Sequence, residues 1–310
     1  MKFKPIAESM NVEVYASEEN FLSFFNSPYY AHTQASAVDI YTKRREYDIP
    51  ALSPVNGKVV NIVRFKTPKP KHFAGSEEDY IIAVQSNKNS SVWVRILHAR
   101  PSVKIAQKVS VGDEIGKYLP SGYFNFWTDP HIHIEIRNPA NIIRAKGGYT
   151  VNTLQIDDKE FNDEELVEGK PLEGKVELIS KRYLILNLES PKLRLGNFYG
   201  IRANIGKYKG ILDCGFPYYG YGGVHAEQSN GIEMGDYVKF LGFNIGIVVN
   251  KIKNFVMFKT IPLRVKIRDK VFKGLSFYLH MNELVNFKLV PIQPNSFSFK
   301  FGEKLKVEIT

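Results

Sequence analysis

Seven histidines are spread over the 310 residues, and four of them, His32, His98, His131 and His133, stand where side chains can act together. In Pro130-His131-Ile132-His133-Ile134-Glu135-Ile136-Arg137 the alternation is strict. Successive residues of a strand point to opposite faces, so His131, His133 and Glu135 share one face and the three isoleucines share the other. Two imidazoles are thereby aimed at a common point. Zinc takes imidazole nitrogen at about 2.0–2.1 Å and carboxylate oxygen at about 2.0–2.2 Å, and a catalytic site keeps three protein ligands plus a water. A third partner must come from elsewhere in the chain, and His32 and Asp39 are the candidates. Asp39 opens an apolar β-run, and a carboxylate buried there needs a cation. His98 ends the run Val92-Trp93-Val94-Arg95-Ile96-Leu97-His98, and with His131 it can supply the polar groups that act on a substrate rather than on the metal. Of the other histidines, His72 lies in a Lys/Pro-rich loop and is expected to be exposed. His225 and His280 have no partners at useful spacing and are read as structural.

These side chains need a scaffold, and the chain reads as all-β. Short β-rich runs broken by Gly, Pro, Asn and Asp recur through both halves, while helical periodicity is scarce. The spacing predicts strands over Ala37–Tyr41, Gly57–Phe65, Tyr80–Gln85, Ser91–His98, Asp113–Tyr118 and His131–Arg137. In the second half it predicts them over Lys175–Glu189, Phe198–Ile205, Tyr237–Asn250, Asn254–Val271, Phe287–Val290 and Phe297–Ile309. One short helix is expected around Glu18–Phe25, capped by Ser17, with Phe21, Leu22, Phe24 and Phe25 as its apolar face. Asp157–Glu168 holds seven acids and one lysine and ends in Gly169-Lys170-Pro171, which marks a linker between two domains.

Composition limits the classes of function. With 44% hydrophobic and 24% charged residues the chain has material for a core, so disorder is excluded. Cys214 is the only cysteine, so any metal site must use His and carboxylates. The net charge of +10 divides evenly, +5 over residues 1–150 (19 basic, 14 acidic) and +5 over 151–310 (23 basic, 18 acidic), which is not a nucleic-acid footprint. Arg264, Lys266, Arg268 and Lys270 alternate with other residues, and period two would place four cations on one strand face. A protected edge strand is the favoured reading of that row, and a polyanion grip the other. No apolar run approaches roughly 18 residues, so no membrane span is expected. Met1–Glu8 lacks the features of a secretory signal, so the expected compartment is the cytoplasm, or the exterior if a leader has been removed.

Taken in order, these residues resemble the LytM-type (lysostaphin-like, M23) zinc metallopeptidases over about residues 31–137. A His and an Asp come first, followed by a Pro-x-x-Gly-x-Val segment at Pro54-Val55-Asn56-Gly57-Lys58-Val59. A strand ending in Leu97-His98 is next, then Val109-Ser110-Val111-Gly112-Asp113-Glu114-Ile115-Gly116. A Ser121-Gly122 turn leads to the closing Pro-His-x-His-x-Glu at Pro130–Glu135. The resemblance implies a LytM-like β-sandwich of the duplicated hybrid motif type in residues 1–152. It implies Zn2+ held by His32, Asp39 and His133, with His98 and His131 as the catalytic histidines. Hydrolysis of a peptide, or of a peptide-crosslinked polymer, is the implied reaction. Residues 153–171 would be the acidic linker and 172–310 a β-rich accessory domain that positions a substrate or partner, or forms a homodimer. The family places its first His four residues before the Asp, a position held here by Ala35, whereas His32 lies seven before; the extra residues are expected to bulge out as a loop. Asp129 stands where the family has Gly. A binding or scaffolding module with a degenerate metal site is the alternative that the irregular spacing leaves open.

Overall fold

The computed structural model describes residues 1–153 and 171–310, so the acidic segment Asp157–Glu168 and most of the expected linker lie outside the described residues. The chain is nearly all-β. Among the described residues the helical pieces are a single turn at Tyr30–Thr33 and a 3-10 turn at Pro139–Asn141. None is long and apolar enough to cross a membrane. Two compact units form, one from residues 1–22 and 29–153 and the other from 23–28 and 171–310.

The first unit is built on an antiparallel sheet whose strands run, in spatial order, Val38–Tyr41, His131–Arg137, Trp93–Leu97, Glu78–Ser86, Gly57–Lys66 and Lys108–Val109. His131–Arg137 lies inside this sheet and is buried on both faces, so one face carries Ile132, Ile134 and Ile136 and the other carries the polar residues. Smaller sheets flank it: Pro50–Leu52 and Ala99–Pro101 sit on either side of Glu114–Tyr118, and Phe3–Ser9 pairs with Val12–Ser17 and Asn152–Thr153. His98 is the corner at which the chain leaves one sheet for the next. Its φ of +68° is a left-handed conformation that a non-glycine residue adopts only when its surroundings hold it there.

In the second unit, Phe198–Ile205, Tyr208–Phe216, Tyr221–Ala226, Phe255–Thr260, Phe243–Ile252 and Tyr237–Phe240 pair in that order, and the last pairs again with the first. The ring is a closed barrel, which leaves these strands no free edge. Ala203, Leu212, Cys214, Val224, Val238 and Phe258 belong to its buried core.

No helix forms over Glu18–Phe25: Phe21–Ser23 is a strand, and the backbone N–H groups of Phe24 and Phe25 donate to the buried carboxylate of Asp213 instead of to a helical ladder. The four-cation row is not one strand face either. Val265–Ile267 and Lys270–Phe272 are the two arms of a hairpin with Arg268 at its turn (φ +55°), and Val265–Ile267 also pairs with Lys304–Ile309, so it is not an edge. The same turn chemistry divides Tyr237–Asn250, where Leu241 and Gly242 take positive φ between two strands.

Candidate metal centre

Strand register brings the centre together. His133 lies directly opposite Asp39, and His131 directly opposite Tyr41. Residues so paired on one face have Cβ atoms about 4.5–5.5 Å apart. His133 Nδ1 is 2.8 Å from Asp39 Oδ1. His32 arrives from the helical turn Tyr30–Thr33, with its Nε2 3.2 Å from His133 Nδ1 and 3.4 Å from Asp39 Oδ1. His32 stands near the end of that helical turn, and a turn at Gln34–Ala35 followed by Ser36 and Ala37 carries the chain to the strand that begins at Val38. Ala35 takes φ +50° there, its N–H donates to the His32 carbonyl, and the Ser36 N–H and hydroxyl both donate to the Ala31 carbonyl.

His32, Asp39 and His133 are all buried and form a group that could hold a metal ion. Donor atoms at about 2.0–2.1 Å from a tetrahedral ion stand about 3.3 Å from one another. The three edges of 2.8, 3.2 and 3.4 Å straddle that value, so this donor set fits a small divalent cation. The outward nitrogen of His133, Nε2, lies 3.0 Å from Glu135 Oε1. A carboxylate on the far side of a ligating imidazole fixes its orientation and tautomer.

Glu135 is itself held between two buried guanidiniums. Arg95 donates to Oε1, and Arg137 Nε donates to Oε2 at 2.9 Å. Arg95 and Arg137 also donate to the carbonyls of Ile142, Asn141 and Arg144, which fixes the 141–144 segment beside the centre.

The two remaining histidines have their Nδ1 atoms occupied. His131 Nδ1 donates to the Asp129 carbonyl at 2.9 Å, which leaves Nε2 without a proton in the neutral ring. Its ring stacks on Phe124 at 4.7 Å. Asp129, the residue in the place of the family's glycine, is fully buried and ion-paired to Arg45. His98 Nδ1 meets Asp79 Oδ2 at 2.6 Å while its backbone N–H donates to Asp79 Oδ1 at 3.1 Å, so one carboxylate clamps both the ring and the strained backbone. The His98 and His131 ring centroids are 5.1 Å apart.

The electrostatics follow from burial against pairing. Burial works to raise the Asp39 carboxyl, but the charges of His32 and His131 and the hydrogen bonds of His133 and His32 outweigh it and hold the group well below the usual carboxylate range. Burial opposes charge on His133 too, yet Asp39 and Glu135 on its two nitrogens lift it to about 9. For His131 burial prevails over Asp39 and takes it down to about 4, so this ring is neutral at pH 7. Glu135 would be raised by burial, but His133, Arg95 and Arg137 bring it to about 2. Burial would raise Asp79 as well, and His98, Ser121 and the Tyr80 N–H lower it instead.

Sequence reasoning brought out His32, Asp39, His98, His131 and His133, and the structure gathers all five into one buried cluster. It passed over Asp79, Arg95, Arg137 and Arg45. Asp39 stood out as an acid in an apolar run, whereas Asp79 closes the acidic run Glu77-Glu78-Asp79 and reads as solvated. His72 is exposed, while His225 pairs with Asp213 and His280 with the Asn286 carbonyl inside the second unit.

Fold and site together define a nearly all-β, two-unit protein whose first unit carries a buried His/Asp/His group able to hold a metal. Residues 9–153 match the family described as "Domain of unknown function (DUF8155) N-terminal domain", and residues 170–310 match its C-terminal domain. With both domains matched over most of its length, the chain belongs to the DUF8155 family. No curated protein matches it. Among solved structures the chain is similar to a mutant catalytic domain of the prophage-encoded M23 protein EnpA from Enterococcus faecalis, with 18% identity and a TM-score of 0.23, over 37% of this chain and 72% of that one.

Proposed function

We propose that the first unit, taken as residues 1–152, is a zinc-dependent hydrolase of peptide (amide) bonds, with His32, Asp39 and His133 as zinc ligands and His131 and His98 as catalytic residues. The observation that carries this reading is the triangle of three buried donor atoms with edges of 2.8, 3.2 and 3.4 Å, flanked by two further imidazoles with occupied Nδ1 atoms. The ordered motifs of residues 31–137, which resemble M23 peptidases, support it independently. A zinc ion in this group would supply Lewis acidity toward the scissile carbonyl and toward a water.

The protein's own side chains do the rest. Neutral His131 presents a bare Nε2 and takes the proton of the attacking water. His98 turns its Nε2 toward the oxyanion as a hydrogen-bond donor and then gives a proton to the leaving amine, and Asp79 on the opposite nitrogen orients the ring for this. Glu135 holds His133 with Nδ1 turned toward the other two ligands. Residues 172–310 act as an accessory domain that positions a substrate or partner.

The test is elemental analysis of the purified full chain, together with hydrolysis of a panel of quenched peptides and crosslinked wall fragments with and without a chelator. About one zinc per chain and chelator-sensitive cleavage restored by added zinc are expected. A chain that takes up no metal after equilibration with zinc, or cleavage indifferent to chelator, defeats the reading.

A further inference from the structure

A cleft of about 500 Å³ opens beside the metal centre, with His98, His133, Arg95 and Glu135 at its inner end. That is the size of a pocket for a small ligand or a few residues of a peptide. Its remaining walls are aromatic and aliphatic. The floor is set by strand register: Val63 lies opposite Ile81, Ile81 opposite Leu97, Leu97 opposite His133, and His133 opposite Asp39. Residues paired across antiparallel strands share a face, so this row runs from the metal ligands outward along one sheet face, and outside the ligand pair every member is apolar. Phe65, two residues beyond Val63, continues the same face.

The rim is apolar as well. Tyr29, Tyr30 and Ile143 line the cleft while remaining 47%, 43% and 66% exposed. Tyr29 is fixed there, its hydroxyl donating to the Tyr123 carbonyl at 2.6 Å and its ring packing edge-on to the Tyr123 ring. Large apolar side chains left in water around a preformed cleft mark a surface that is covered when a ligand binds. Of the charged groups at the inner end, Arg95 donates to Glu135 and to the carbonyls of Ile142 and Arg144, and Glu135 also pairs with His133.

Resting on the hydrolase reading, we infer that this cleft is a specificity pocket for a bulky apolar side chain, of the Leu, Met or Phe class, carried by the peptide substrate. Strands lie about 4.8 Å apart, so Leu97, Ile81 and Val63 stand about 5, 10 and 14 Å from the His133 strand. An extended peptide advances about 3.3 Å per residue, so the residue that fills the pocket lies within about four residues of the bond presented to the metal. A glycine there would leave the aromatic rim wet and gain nothing from it.

The test uses the full chain with its zinc content measured beforehand and quenched peptides that differ only by Gly, Leu or Phe at each of the four positions on either side of the cleaved bond. At one of these positions Leu or Phe is expected to exceed Gly in kcat/KM by about tenfold or more. Ile143→Asp on the exposed rim and Val63→Thr on the floor are expected to bring that ratio toward one while leaving the bound zinc unchanged. In parallel, Gly, Leu and Phe hydroxamates are titrated against the zinc-loaded protein, which reads the pocket without turnover. Leu or Phe hydroxamate binding about tenfold tighter than Gly supports the pocket even if no peptide is cut, an outcome that would sink the hydrolase reading alone. Equal kcat/KM for all three peptides, equal hydroxamate affinities, or a preference that survives both substitutions overturns the pocket.

Discussion

Replacing Glu135 by Gln keeps the shape of the side chain and removes its charge. In the native protein that carboxylate accepts from Arg95, from Arg137 Nε at 2.9 Å and from His133 Nε2 at 3.0 Å, and none of its surface meets solvent. The variant leaves two buried guanidiniums facing an amide with one acceptor oxygen. Breaking a buried ion pair by removing one partner costs about 3–5 kcal/mol. At about 2–4 °C per kcal/mol for a unit of this size, the metal-free variant is expected to melt about 6–20 °C below the native protein. A second effect is separable. Loss of a carboxylate behind a ligating histidine weakens metal binding about 10–100-fold, so the stabilisation gained on adding zinc shrinks by about 1.4–2.8 kcal/mol. Thermal melts with and without zinc, and competition of a chromophoric chelator for the metal, read the two separately. A Gln variant that melts with the native protein and binds zinc equally well would refute both the buried network and its hold on His133.

Alanine at His133 or Asp39 is expected to abolish bound metal, whereas alanine at His131 keeps the metal and abolishes turnover; wild-type metal content in both ligand variants would refute the division of roles. Asp79→Asn keeps the metal but lowers kcat about 100- to 10,000-fold, because an amide against Nδ1 no longer holds the His98 ring in one tautomer and orientation, and steady-state kinetics on zinc-loaded protein check it. In metal-stripped protein, His131 has a folded pKa near 4, below the unfolded value near 6.5, so its contribution is present above about pH 6.5 and is lost as pH falls through 4. His133, near 9, is raised, so its contribution is present below about pH 6.5 and is lost as pH rises through 9. Chemical unfolding from pH 4 to 10 should therefore show a maximum near neutrality, with the alkaline decline flattened in His133→Ala; an unchanged alkaline decline there would contradict this account.

The sequence by itself determined the strand His131–Arg137 and which of its side chains share a face, because period two is a local property of extended backbone. It also marked Asp39, since an acid inside an apolar run stands out against its neighbours. The strands expected from Ala37 to Arg137 were legible for the same reason, whereas Phe3–Ser9 and Val12–Ser17 were not expected. What only the tertiary structure decided was register and closure. His133 meets Asp39 because those two residues, far apart along the chain, fall opposite each other, and a slip of one residue would turn one of them to the other face. The turn that delivers His32 from seven residues away, the pairing of Asp79 with His98, and the Arg95–Glu135–Arg137 network depend on contacts between distant segments, which residue types and spacing do not encode. The same holds for Phe24 and Phe25: their apolar side chains suit the helix expected over Glu18–Phe25, but their backbone N–H groups find the carboxylate of Asp213, and a buried donor goes where an acceptor is available.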